Sequence, residues 1–201
     1  MVKVSAWESG RSVYGLIAKC ELQYKISGSL LVWLKSYLKD RSQVVRVGSS
    51  ISGSKNISAG CPQGSVLGPL LALMYLNDLS KLTENEALFY ADDTSLYSSH
   101  PPHDQGQRHS LQRDLDIIRQ YGNDWAITFN ANKTVQQTFT TRQTDQDLAL
   151  SFDGQPILPV ACHKHLGLNL STDLHFHHHV NGMIRTINST LGPIYPVAKF
   201  L

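Results

Sequence analysis

Cysteine is scarce in this sequence: Cys20, Cys61 and Cys162 stand far apart, and none belongs to a C-x-x-C pair. Three scattered thiols make no disulfide framework and fit a reduced, intracellular chain. Long apolar runs are missing too. The longest, Val66 to Leu76, is broken by Gly68 and Pro69 and falls well short of the ~20 residues that span a bilayer. No basic stretch followed by an apolar one opens the chain, so a secretory signal is not expected. Charge of one sign is not in excess: the net value of +2 permits a nucleic-acid partner without pointing to one. Internal repeats, heptads and low-complexity tracts are absent, which excludes a solenoid, a coiled coil or a disordered tail. The expectation is an intracellular protein with no membrane contact; between nucleus and cytoplasm the residues do not choose.

What is present is ordinary enough to fold. With 201 residues and 41% of them hydrophobic, the chain can bury one good core, or a core and a small appendage. Met1 to Ser12 shows no clear period. Leu16, Ile17, Leu22 and Ile26 begin an apolar pattern that Ser27-Gly28 interrupts, and the spacing predicts a helix over Ser29 to Leu38. Trp33 and Tyr37 are expected to pack into the core from that helix. Lys35, Lys39, Arg41 and Arg46 cluster after it, either as a solvated basic face or as contacts to phosphates.

Gln43 to Val47 reads as a strand. Ser65 can cap a helix carrying Leu67, Leu70, Leu71, Met74 and Tyr75, and Leu111, Leu115, Ile118, Tyr121 and Trp125 mark another. Asp114 and Asp116 on that second helix are expected at the surface. Val135 to Thr140 and Leu148 to Phe152 follow as strands, with a hairpin at Asp153-Gly154. His175, His177, His178 and His179 lack the spacing of a zinc site. A last helix, with Val180, Met183, Ile184, Ile187 and Leu191, stops at Gly192-Pro193.

The most informative stretch is Phe89-Tyr90-Ala91-Asp92-Asp93-Thr94-Ser95-Leu96-Tyr97-Ser98. Apolar flanks read as two strands and Asp92-Asp93 as the turn between them. Neighbouring carboxylates there are unfavourable unless a cation offsets them. Mg2+ suits such a place, because it takes a few hard oxygen ligands and completes its shell with water and phosphate. A solvated Asp-rich turn would look the same in isolation.

Upstream lie Gly60-Cys61-Pro62-Gln63-Gly64-Ser65-Val66-Leu67-Gly68-Pro69-Leu70 and Tyr75-Leu76-Asn77-Asp78-Leu79. In this order, with Tyr90-Ala91-Asp92-Asp93 after them, these motifs resemble the reverse transcriptases of non-LTR, LINE-like retrotransposons of the jockey type. The resemblance runs from about Gly15 to about Leu191. It implies an α+β fold: a polymerase palm-like antiparallel sheet backed by helices, with the fingers largely missing and the thumb incomplete. The implied division is a divergent segment 1–14, a partial palm 15–170, and the start of a thumb-like helical segment 171–201.

The resemblance also implies template-directed nucleotidyl transfer with two divalent metals. Asp92 and Asp93 would be the catalytic, Mg2+-binding pair, with Asp92 facing the cleft. Gly60, Pro62, Gln63 and Gly64 would lie under the incoming nucleotide and template. Trp125 to Thr134 resembles the family's W-x-x-x-F-N-x-x-K-T motif and places Lys133 near the nucleotide's phosphates. His163 to Leu168 resembles a hairpin that grips the primer. RNA template, DNA primer and deoxynucleoside triphosphates are the implied partners.

One part of the pattern is not met. The family takes a further Asp from an earlier strand, in an F-D-x-V-type motif expected just before Val13 to Ile17. That register puts Gly10 and Arg11 in its place, and Glu8, the nearest carboxylate, is out of step. A cation where a metal ligand should be opposes two-metal catalysis. The expectation is therefore a fragment of an RNA-directed DNA polymerase, inactive or crippled as it stands. The alternative is a non-catalytic nucleic-acid-binding remnant, or an inert translated piece of an element.

Overall fold

The structure, a computed structural model, describes residues 1–9, 12–57, 64–90, 93–99, 105–140 and 148–192. Strand β1 (Val2–Ser9) is followed by helices α1 (Ser12–Leu22) and α2 (Gly28–Leu38). Next come the short strands β2 (Ser42–Gln43), β3 (Arg46–Val47), β4 (Ser50–Ile51) and β5 (Lys55–Asn56), then helix α3 (Gly68–Leu76) and a 3-10 turn at Leu79–Lys81. Strands β6 (Glu86–Tyr90) and β7 (Asp93–Tyr97) precede the long helix α4 (Gln105–Trp125) and strand β8 (Ile127–Gln136). Two hairpins close the series before helix α5 (His177–Leu191): β9 (Ser151–Phe152) with β10 (Gln155–Pro156), and β11 (Cys162–His165) with β12 (Leu168–Ser171). Among the described residues no helix is long and apolar enough to cross a membrane.

The chain forms two compact units: Val2–Thr134 with Ala149–Ile157, and Met1 with Val135–Leu148 and Leu158–Leu201. The larger holds a four-stranded sheet in the order β6-β7-β1-β8, in which β7 runs antiparallel to both β6 and β1. β1 was not foreseen. Its signal is a short alternation, Val2 and Val4 around Lys3, which the mixed residues after it conceal. Val2 and Val4 stand opposite Leu96 and Thr94, and all four are buried. Burying a valine or leucine in this way stabilises by roughly 1.5–3 kcal/mol each.

The helices bury their stripes at the expected spacing: Leu111, Leu115, Ile118 and Tyr121 on α4, Leu31, Leu34 and Leu38 on α2. Trp33 does not join the core. It is half exposed and stacks on Tyr37 with ring centroids 5.3 Å apart, because the stripe of α2 falls on the leucines. The expected strand from Gln43 to Val47 is broken into β2 and β3, which pair with β5 and β4 in two antiparallel ladders. Asp153 and Gly154 both have positive φ, 51° and 74°, the backbone that a two-residue hairpin turn requires.

Lys19 and Asp114 are the most deeply buried charged side chains among the described residues of this unit. Lys19 on α1 is 2% exposed. Its Nζ donates to Tyr75 O (2.6 Å), Asp78 Oδ1 (2.5 Å) and Tyr121 Oη (2.5 Å) and lies over the rings of Tyr75, Tyr121 and Trp125, nearest Trp125 at 4.0 Å. Burial pushes the ammonium's pKa down, and Asp78 opposes that shift. Burial and then Asp78 push the Tyr121 phenol well above its ordinary value.

Asp114 on α4 is fully buried, where the sequence led us to expect a surface residue. Its carboxylate accepts from the backbone N–H of Glu84 (2.7 Å) and of Asn85 (2.9 Å), and from Asn85 Nδ2 (2.7 Å). Three donors replace the water it gives up. Asp116 stays exposed, accepting from Gln112.

The turn from α4 into β8 is tight. Ala126 has φ 53°, and a Cβ added at Gly122 would meet Ile127 O at 2.6 Å and the Phe129 ring at 3.1 Å. A backbone oxygen cannot step aside as a flexible side chain would. Gly122→Ala is expected to destabilise by about 2–3 kcal/mol, seen as a lower urea midpoint; an unchanged midpoint would contradict this packing.

In the smaller unit, Met1 and Gln137 exchange backbone hydrogen bonds of 2.9 and 3.0 Å, and Gln137 Nε2 donates to Leu170 O at 2.8 Å. Leu166 and Gly167, both at positive φ, turn β11 into β12. Helix α5 has no buried residue: Val180, Met183, Ile184, Ile187 and Leu191 are each about half exposed.

Candidate functional site

The β6–β7 register pairs Tyr90 with Asp93, Phe89 with Thr94, and so on to Glu86 with Tyr97. Asp93 is thus the first residue of β7 rather than a turn residue. Asp92 lies outside the described residues, as do Gly60, Pro62 and Gln63.

Asp114 holds the base of this hairpin. It binds the turn at Glu84 and Asn85 that leads into β6, while Asn85 Oδ1 accepts from Ser98 Oγ at 2.7 Å, just past the end of β7. Arg113 adds a bidentate ion pair with Glu84, Nη2 to Oε2 at 2.6 Å. The open end of the hairpin is therefore tied to α4 on both strands.

The neighbour of β7 on its other side is β1, with Ser5 opposite Asp93 and Lys3 opposite Ser95. In an antiparallel pair, diagonal residues two positions away on the same face are within reach of a long side chain. Lys3 makes that reach: its Nζ is 2.9 Å from Asp93 Oδ2, with the two side chains 11% and 23% exposed. Such a pair is screened far less than one on an open surface.

The described strand beside Asp93 is Val2–Ser9; Gly10 and Arg11, where the family's Asp motif is expected, lie outside the described residues. A cation does stand next to Asp93, and it is Lys3. The one acidic residue of β1, Glu8, is five positions beyond Lys3, about 16 Å along an extended strand.

Of the other expected site residues, Gly64 and Lys133 are described. Lys133 sits exposed on β8, separated from β7 by β1 and so about 10 Å across the sheet. Gly64 has φ 77°, a conformation that favours glycine. The N-cap of α3 is Leu67, not Ser65, although Ser65 Oγ accepts the N–H of Gly68, the first residue of the helix, at 3.0 Å. Of the basic cluster, Arg41 folds back on its own helix, its Nε donating to Tyr37 O at 2.7 Å and its guanidinium 4.6 Å from that ring. Lys35 and Lys39 are exposed, near Glu21 and Asp40.

A cleft of about 600 Å³ is lined by Gly15, Tyr75, Gly122, Trp125 and Ile127 among others. Among the described residues, none of the expected site residues lines it. His175 pairs with Asp173, Nδ1 to Oδ2 at 3.4 Å, and stacks on His177.

Among the described residues no three His, Cys, Asp or Glu side chains converge on a point where a metal could bind. Mg2+ wants several oxygen ligands in near-octahedral order. The described surroundings of Asp93 do not fit it, since they offer an ammonium in contact with the one carboxylate.

Comparison with known proteins comes to bear on this hairpin. Residues 17–170 match the family described as reverse transcriptase (RNA-dependent DNA polymerase). The chain is 32% identical over 162 residues to the RNA-directed DNA polymerase from mobile element jockey of Drosophila melanogaster, covering 77% of this chain and 18% of that protein. In the same organism it is 34% identical to the RNA-directed DNA polymerase assigned to transposon BS, over 76% of this chain and 18% of the other. Against that assigned to transposon X-element it is 32% identical over 88% of this chain and 20% of the other. It spans about a fifth of the length of these curated relatives.

Proposed function

This chain belongs to the reverse-transcriptase (RNA-dependent DNA polymerase) family, in its non-LTR, jockey-type branch, and from that premise we propose that it is a palm portion that no longer synthesises DNA. The ancestral reaction is nucleotidyl transfer from deoxynucleoside triphosphates to a DNA primer on an RNA template, a chemistry that divalent metal held by carboxylates supports in such enzymes. Asp92 and Asp93 are the remnant of that site. Gly60, Pro62, Gln63 and Gly64 are the remnant of the nucleotide-side loop, and Lys133 that of the phosphate contact.

One observation carries the proposal. The strand paired with Asp93 presents Lys3 and Ser5 at the facing positions, where a metal site would need a second carboxylate. Without it the developing charge of phosphoryl transfer has no clamp.

Primer extension by the 201-residue chain tests this directly, with an RNA template, a DNA primer, deoxynucleotides and Mg2+. The expected result is incorporation no greater than that of Asp92→Ala. Incorporation that disappears in Asp92→Ala would overturn it. A salt-dependent affinity for the template without incorporation would add a retained nucleic-acid-binding role.

A further inference from the structure

The positions of β1 that face the start of β7 hold Lys3 and Ser5 and no carboxylate. The structure adds that the vacancy is filled: we infer that the Lys3 ammonium takes the place of the divalent cation at Asp93, so that the hairpin is closed by an internal cation. This rests on the chain being a descendant of a metal-dependent site, but it makes a claim of its own about binding.

Three observations support it. First, the contact is a direct one, with Nζ 2.9 Å from Oδ2, the separation of a charge-assisted hydrogen bond. Second, it is built into the sheet. Lys3 is fixed opposite Ser95 by the β1–β7 ladder, and Val2 and Val4 on either side of it are fully buried, so the strand cannot slip without exposing both. Third, the lysine is itself 9% exposed. A lysine is rarely this buried unless a partner offsets the loss of hydration, and Asp93 is that partner. A divalent ion entering here would meet a positive charge at close range in a poorly screened site, and would have to displace it.

Mn2+, whose binding can be followed by its paramagnetism, is the probe. In the native chain, Mn2+ is expected to leave the amide signals of Lys3, Asp93 and Ser95 unbroadened at concentrations that saturate ordinary carboxylate pairs. Lys3→Asp is expected to bind Mn2+ at least tenfold more tightly than native, equivalent to about 1.4 kcal/mol, and its melting temperature is expected to rise with added Mn2+. Asp93→Asn in that background is expected to abolish both effects. Lys3→Met keeps most of the stem and removes only the charge, and a gain of about threefold is expected from it.

Selective broadening at Asp93 in the native chain would overturn the inference, and needs no variant. So would folded Lys3→Asp and Lys3→Met proteins that bind Mn2+ no better than native. The two ideas fail separately. Primer extension by the native chain sinks the inactive-palm reading, whereas Mn2+ at Asp93 without extension sinks only the internal cation.

Discussion

Replacing Lys19 by alanine is expected to lower stability by about 3–5 kcal/mol, the range for breaking a buried ion pair from one side. The ammonium has three N–H groups and three acceptors, Tyr75 O, Asp78 Oδ1 and Tyr121 Oη, all at 2.5–2.6 Å. Removing it leaves those acceptors facing a void. Tyr121 Oη can still donate to Asp78 or Tyr75 O, but not to both at once. The three aromatic rings lose the cation they surround as well.

Lys19→Met separates volume from charge: the stem remains, Asp78 is partly open to water, and about half the loss is expected. Urea unfolding of the two variants checks this. In a chain of this size the alanine variant should melt roughly 6–20 °C below native. A loss under ~1 kcal/mol, the scale of an exposed pair, would mean that the cage does not exist as described.

The second large effect is expected at Asp114. Asp114→Ala strands two backbone N–H groups and the Asn85 amide. Leaving a buried donor unpaired costs about 1–3 kcal/mol, so a total of about 3–4 kcal/mol is expected once partial rehydration of the 84–85 turn is allowed for. Asp114→Asn should fare little better, because it turns one acceptor oxygen into an N–H facing other N–H groups. Amide exchange locates the damage: Glu84 and Asn85 should lose protection first, followed by the adjoining ends of β6 and β7. Unchanged exchange at those two amides in a folded Asp114→Asn protein would refute the assignment.

Both residues also show where the sequence stops being informative. Helix α4 was legible because Leu111, Leu115, Ile118 and Tyr121 repeat at helical spacing. The same criterion placed Asp114 at the surface, since periodicity counts apolar residues and cannot see that two N–H groups 29 and 30 positions away turn toward that face. Lys19 was passed over for the same reason. Its partners come from three distant places in the chain.

Local chemistry read more truly. Asp153-Gly154 formed the hairpin its residue types demand, and Ser65 accepts the first N–H of α3 without being its N-cap. At the candidate site, the Asp-Asp hairpin was visible in the residues, but the identity of its neighbour was not. Strand pairing between residues some 90 positions apart is a tertiary fact, and no local pattern announces that Lys3 reaches Asp93.

Helix α5 has a consequence of another kind. With no side chain buried, what holds it together is mainly its own ladder of hydrogen bonds, and a helix of this length is marginal in water by that means alone. Its coil form is thus a small step uphill that the rest of the chain need not share. Arg185, in the middle of it, is then a bond that trypsin can reach without unfolding of the rest.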